Sequence, residues 1–198
     1  MLPEPIAVTL LVADALERVG AAYLIGGSLA STIHGVVRTT LDADILADLK
    51  MQHAQPFADL LAASFYLDID AVRHAIRQRS SFNLIHFATM FKVDIFIPKD
   101  RPFDRQQLDR REAWIADPDL GLKLYVATPE DTVLAKLAWY RLGGEVSDRQ
   151  WRDVLGVLRV QRDRLDLAYL RRWAASLALV DLLERVLSEA KPHPALPD

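Results

Sequence analysis

Two short motifs near the start of the chain constrain its fold more than any other feature. The apolar run 21–25 ends at the small-residue turn Gly26-Gly27-Ser28, and a short helical segment follows. The next segment, Asp42-Ala43-Asp44-Ile45, alternates acidic and apolar residues as a half-buried strand does. This order predicts a strand–turn–helix–strand unit in which a backbone turn lies beside two carboxylates.

A third carboxylate follows the same strand parity further along the chain. Alternate residues of a strand point to one face of a sheet, so Asp42 and Asp44 share a face. The apolar run 91–97 places Asp94 on its polar side in the same way. If the two strands are neighbours, three carboxylates converge, and they repel one another unless cations occupy the site. Oxygen ligands of this kind suit Mg²⁺ or Mn²⁺; the alternative is a solvated row of acids on an exposed sheet face.

The glycine turn is a candidate phosphate cradle. Gly26 and Gly27 permit close approach of the backbone, and Ser28 begins a helix whose N terminus favours anions. The alternative is a turn that only connects two elements. Arg38, just before the acidic strand, is a candidate partner for a phosphate or for Asp42, and a structural salt bridge is an equal alternative.

The remaining pattern predicts an α+β fold with a mixed β-sheet, flanking helices and a C-terminal helical bundle. We expect residues 1–127 to form the mixed part and residues 128–198 the helical part. The elements expected in the first part are helices over 5–19, 51–64 and 70–78 with Asp70 as N-cap, a hairpin over 82–97, a charged surface helix or loop over 101–111, and edge strands near 114–115 and 122–127. Helices are expected at 129–142, 150–160, 167–177 and 180–187.

Bulk composition excludes several classes of function. The 198 residues carry a net charge of -3, which gives no overall basic footprint for nucleic acid. The absence of cysteine excludes disulfides and thiolate metal sites. No basic leader and no long uncharged apolar run is present, so we expect a cytoplasmic protein without a membrane partner.

The two motifs together resemble the signature of a known superfamily. Gly27-Ser28, a short helix and then Arg38-Thr39-Thr40-Leu41-Asp42-Ala43-Asp44-Ile45 are similar to the polymerase-β-type nucleotidyltransferase signature. The longer pattern, Gly-Gly-Ser-x-Ala-x-x-x-His-Gly-x-x-Arg-x-Thr-x-Asp-x-Asp, resembles the AbiEii-like branch of uncharacterised and toxin-type bacterial enzymes. The resemblance extends to Asp94, and more loosely to Pro129-Glu130-Asp131 with Lys136-Leu137 and to Arg152-Asp153 in the helical part.

The resemblance implies a reaction and a set of roles. A nucleoside monophosphate would pass from an NTP to an acceptor hydroxyl, with release of pyrophosphate. Asp42 and Asp44 would bind Mg²⁺ or Mn²⁺ and meet the phosphates, and Asp94 would ligate the catalytic metal and help to activate the acceptor. Gly27 and Ser28 would hold the β- and γ-phosphates.

Two residues of the helical part take roles only through the resemblance. Lys136 would reach the triphosphate and Asp153 would support the site. The alternative for Lys136 is an ordinary helical lysine that extends its head group to solvent.

Two functions of different classes therefore stand at this point. The first is a metal-dependent nucleotidyltransferase with NTP as substrate and an unknown acceptor, either a tRNA, a protein or a small molecule. The second is a catalytically silent nucleotide-binding or regulatory module of the same fold, within a toxin–antitoxin pair that would supply an antitoxin partner.

Overall fold

The computed structural model describes residues 2–35 and 39–191. Contacts within the chain divide the described residues into two compact units. The first unit combines the described part of Met1–Ala30 with Thr39–Thr128, and the second combines the described part of Ser31–Arg38 with that of Pro129–Asp198. Each is described by itself below.

The first unit is built on one seven-stranded sheet with the strand order β3-β4-β5-β2-β1-β7-β6. The strands are β1 (Tyr23–Ile25), β2 (Asp42–Ala47), β3 (Phe65–Tyr66), β4 (Ser81–His86), β5 (Lys92–Phe96), β6 (Glu112–Asp117) and β7 (Leu122–Val126). β2 runs parallel to β5, and β1 runs parallel to β7. The other neighbouring strands are antiparallel, so the sheet is mixed as expected.

Helices cover the sheet unevenly. The helices of this unit are α1 (Glu4–Arg18), the first half of α2 (Gly27–His34), α3 (Ala54–Leu61), α4 (Ile69–Gln78) and α5 (Pro102–Arg110). Every second residue of β2 and β5 is fully buried, whereas the residues between them are only half-buried. On the half-buried face, α5 packs Leu108 against Leu24 and Ala127, with Leu46 beside them. One face of the sheet therefore forms the core, and the other stays accessible along β2 and β5.

The second unit is helical. It contains α6 (Pro129–Leu142), α7 (Asp148–Gln161), α8 (Leu167–Ser176) and α9 (Val180–Ala190). Ser147 caps α7 through the backbone N–H of Gln150, and Asp166 caps α8 through that of Tyr169. Such caps satisfy donors that a helix start leaves without partners. The α+β fold class, a mixed sheet with helices and a helical C-terminal region, is confirmed.

Three local expectations need correction. Asp70 is not the N-cap of α4; Asp68 accepts hydrogen bonds from the backbone N–H groups of Asp70 and Ala71, so the helix begins earlier. The segment expected as one helix over 51–64 is a 3₁₀ turn (Met51–His53) followed by the shorter α3. The charged segment 101–111 is helical, but Asp104 within it is buried rather than on the surface. Its carboxylate is satisfied by hydrogen bonds from the Lys99 backbone N–H and from Arg101.

Candidate active site

The acidic strands β2 and β5 are neighbours, and their register sets the geometry of the site. Asp44 lies opposite Asp94, and Asp42 lies opposite Lys92. Ala43, Ile45, Val93 and Ile95 point to the buried face. The three carboxylates consequently share the accessible face of the sheet, and the expectation that these two strands are adjacent is confirmed.

The carboxylate cluster contains a cation that the sequence analysis did not single out. The Lys92 Nζ donates to Asp94 Oδ2 at 2.7 Å. This hydrogen bond raises the pKa of the Lys92 ammonium above its ordinary value, against the opposing effect of desolvation. The negative charges of Asp94, Asp42 and Asp44 raise the same pKa further. Lys92 and Asp94 are two residues apart on β5, so strand parity alone places both on one face, although no role was predicted for Lys92.

The glycine turn is tied to the acidic strand at short range. The backbone N–H of Gly26 donates to the backbone oxygen of Asp44 at 2.8 Å. At Gly27 the backbone has a φ of +55°, and an added Cβ would lie 1.8 Å from Asp44 Oδ2. The Asp44 carboxylate therefore occupies the place that any side chain at position 27 would need. Glycine is required there for its conformation and for this contact.

Two further residues border the carboxylates. The Thr40 hydroxyl donates to the backbone oxygen of Asp42 at 2.9 Å, which fixes the chain where β2 begins. Asn83 of β4 lies opposite Asp94 in the antiparallel pair and is exposed. Cross-strand neighbours of this kind are close enough for their side chains to interact. No role was predicted for either residue: Thr40 stands within the quoted Arg-x-Thr-x-Asp-x-Asp pattern, and the position of Asn83 depends on a strand pairing that no motif marks.

The donor set fits a hard divalent cation in type, since three carboxylates share one face and oxygen ligands suit Mg²⁺. Within residues 2–35 and 39–191, however, no three His, Cys, Asp or Glu side chains are arranged as a metal site. The positive group in contact with Asp94 is the Lys92 ammonium instead. A bound metal ion would therefore need Asp94 to exchange the ammonium for the ion.

The two predicted helical residues form a pair in the second unit. The Lys136 Nζ donates to Asp153 Oδ2 at 2.8 Å, and both side chains are buried. The pair joins α6 to α7 within that unit. Their assignment to the nucleotide site stays a prediction. Arg38 lies outside the described residues, so its predicted contact with a phosphate or with Asp42 is not described.

The part of the chain that the structure describes contains no helix that is both long and apolar enough to span a bilayer.

Comparisons with known proteins agree with this fold. No protein-family model matches the sequence, and no curated protein is significantly similar to it. The crystal structure of an antigenic nucleotidyltransferase-like protein from Paracoccidioides brasiliensis aligns with 95% of this chain and 94% of its own, at 15% identity and a TM-score of 0.56. The solution structure of the antibiotic-resistance factor ANT(2'')-Ia aligns with 92% of this chain and 99% of its own, at 10% identity and a TM-score of 0.55. The chain therefore has the fold of nucleotidyltransferase-like proteins.

Proposed function

We propose that this protein is a metal-dependent nucleotidyltransferase that moves a nucleoside monophosphate from an NTP to an acceptor hydroxyl. One observation carries the proposal: Asp42, Asp44 and Asp94 share the accessible sheet face, and Asp44 lies against Gly27 at the start of α2. A row of acids without function would not need a glycine turn fitted closely to one of its carboxylates. The nucleotidyltransferase-like fold supports the same conclusion.

The residues present account for the steps of such a transfer. The acceptor hydroxyl oxygen bonds to the α-phosphorus of the NTP, the bond from that phosphorus to the bridging oxygen breaks, and pyrophosphate leaves. The hydroxyl proton passes to the Asp94 carboxylate, in its role as general base. The backbone at Gly27 and Ser28 orients the β- and γ-phosphates, as helix N termini do for anions.

Asp42, Asp44 and Asp94 would hold Mg²⁺, or Mn²⁺, in this proposal. The bound ions would neutralise negative charge on the phosphate oxygens during transfer. The finer assignments made from the resemblance belong to the same proposal. They are the AbiEii-like branch, a cytoplasmic location, and supporting roles for Gly26, Arg38, Lys136 and Asp153. The acceptor, whether tRNA, protein or small molecule, is left open.

A second candidate is a catalytically silent module of the same fold, within a toxin–antitoxin pair. The specific observation in its favour is the Lys92–Asp94 ion pair, because an internal cation already neutralises the carboxylate that catalysis requires. Such a module would bind an NTP without consuming it.

Transfer of label from NTPs separates the two candidates. The purified protein is incubated with each α-labelled NTP, Mg²⁺ and a cell extract, beside Asp42→Ala, Asp44→Ala and the control Asp48→Ala. Asp48 is a matched control because it lies just beyond β2 and pairs with Lys50 outside the cluster. We expect label in an acceptor with the parent protein and with Asp48→Ala, and a loss of at least about 100-fold in the other two variants.

Circular dichroism and melting temperatures check that the variants are folded. Full transfer activity in Asp44→Ala would contradict the proposal. Binding of an NTP without transfer by the parent protein would instead support the silent module.

A further inference from the structure

The positive charge within the carboxylate cluster needs an explanation of its own. Lys92 lies opposite Asp42 on the neighbouring strand, and its ammonium is bonded to Asp94. Its side chain is 43% exposed, whereas that of Asp94 is 21% exposed. The Lys92 side chain is therefore more exposed than the aspartate side chain that it neutralises.

Stability alone gives a weak reason for this pair. Ion pairs that water reaches contribute little to the free energy of folding, because solvent screens the attraction. Relief of repulsion among three carboxylates is a stronger reason, since like charges on neighbouring positions of one sheet face repel one another. Lys92 supplies that relief in the protein without metal.

The same contact creates a conflict once a divalent cation binds. The ammonium and the metal ion are both positive, and both need the oxygens of Asp94. Lysine is a point charge on a flexible four-carbon stem, and its exposed head group can change rotamer rapidly. When the metal ion takes Asp94, the ammonium must find another anion, and the triphosphate of the incoming nucleotide is the anion that the proposed function brings to this face.

We propose that Lys92 is a positioning residue that exchanges partners: it neutralises Asp94 before the substrate binds, and it binds a phosphate of the NTP after the metal ion has taken its place. This inference rests on the proposed function, because it needs both the metal ion and the nucleotide at the carboxylate face. It predicts that metal and nucleotide bind cooperatively. Without nucleotide, the displaced ammonium must compete with the metal ion for Asp42 and Asp44, the other carboxylates that act on it; with nucleotide, it gains a phosphate.

Direct binding measurements test this coupling without relying on turnover. The affinity for Mn²⁺ is measured from the electron paramagnetic resonance signal of the free ion, with and without a non-hydrolysable NTP analogue. The proteins compared are the parent, Lys92→Met, Lys92→Arg and Lys50→Met. Lys50 is a matched control because its ammonium pairs with Asp48 at 2.6 Å, outside the carboxylate cluster.

We expect opposite changes for the two ligands in Lys92→Met. Mn²⁺ alone should bind about threefold to tenfold more tightly, because no ammonium competes for Asp94, and the analogue should bind about tenfold more weakly, because a charge-assisted phosphate contact is lost. The factor by which the analogue increases the affinity for Mn²⁺ should therefore be smaller in Lys92→Met than in the parent. Lys92→Arg should restore most of the affinity for the analogue, and Lys50→Met should match the parent.

The outcomes distinguish this inference from the proposed function. If the parent binds Mn²⁺ and the analogue but Lys92→Met binds both equally well, or both more weakly in parallel, the exchange of partners is overturned and the transferase proposal stands. If the parent binds neither ligand, both are overturned.

Discussion

Two lysine–aspartate pairs of nearly equal length lie in contrasting surroundings in the two compact units. The Lys92–Asp94 pair of the sheet unit has an N–O distance of 2.7 Å, with the side chains 43% and 21% exposed. The Lys136–Asp153 pair of the helical unit has a distance of 2.8 Å, with the side chains 8% and 4% exposed. Two ion pairs with nearly the same N–O distance thus differ in exposure: water reaches the first pair, and the second pair is buried.

The difference in exposure decides what each pair can do. Water and ions can replace either partner of the exposed pair, so Lys92 and Asp94 can separate at small cost. Separation of the buried pair would leave a charge in a medium of low dielectric, which is strongly unfavourable. The first pair is suited to exchange partners during binding, and the second is suited to hold α6 against α7.

The comparison also bears on the role that the family resemblance implied for Lys136. A lysine that reaches a triphosphate must release any other anion it holds. Lys136 would have to leave Asp153, and the buried Asp153 carboxylate would then lose this ion pair. Lys92 faces no such barrier, which makes it the better-supported phosphate ligand of the two lysines.

The largest expected change in the free energy of unfolding comes from the buried Lys136–Asp153 pair. Lys136→Met should lower the free energy of unfolding by about 3–5 kcal/mol, because it removes the ammonium that pairs with the buried Asp153 carboxylate. The double variant Lys136→Met/Asp153→Leu should recover most of that loss, since it removes both charges of the pair. Denaturant unfolding of both variants, with Lys92→Met alongside, gives the measurement. A loss in Lys136→Met no greater than that in Lys92→Met would refute the contrast between the pairs.

A smaller loss of stability is expected at Gly27, which lies against the Asp44 carboxylate. Gly27→Ala should destabilise the protein by about 1–3 kcal/mol, because a positive φ is strained for alanine and the new Cβ would overlap the Asp44 carboxylate. Gly20→Ala is the matched control: Gly20 has a φ of +74° and nothing within 4 Å of an added Cβ.

The difference between these two glycine variants isolates the contact with Asp44. Thermal unfolding measures stability, and Mn²⁺ titration reports whether the carboxylate has moved. Equal melting temperatures and unchanged Mn²⁺ affinity would show that the Asp44 contact has no consequence for the site.

The sequence revealed those parts of the site that depend on local pattern. Alternation along β2 and β5 placed Asp42, Asp44 and Asp94 on the polar side of their strands, because strand parity is a property of each segment alone. The helical C-terminal region followed from periodicity in the same way, whereas the mixed sheet was implied by the family resemblance. The hairpin expected over 82–97 is confirmed as the antiparallel pair β4–β5.

What the sequence did not reveal depends on contacts between distant segments. That Asn83 lies opposite Asp94 follows from the pairing of β4 with β5, which no local pattern encodes. The burial of Lys136 beside Asp153 requires the packing of two helices.

The choice of Asp68 over Asp70 as N-cap depended on which of two nearby acids precedes the helical turn. Both are good capping residues, so propensity did not decide.

The smallest expected effect belongs to a third ion pair, which lies at the exposed extreme of the comparison. Arg141 of α6 donates to both carboxylate oxygens of Asp181 in the first turn of α9, at 2.7 Å each. The bond from Arg141 lowers the pKa of Asp181 below its ordinary value of 3.8. A lowered pKa means that the stabilisation is present above the unfolded-state pKa and is lost as pH falls through the folded-state value. Asp181→Asn should therefore melt slightly below the parent near pH 7, and this gap should close at a pH below 3.8.

Melting temperatures across pH at low salt, with Asp163→Asn as an exposed control, give the test. A loss in Asp181→Asn as large as that in Lys136→Met would show that contact with both carboxylate oxygens, rather than burial, determines how much an ion pair of this protein contributes to stability.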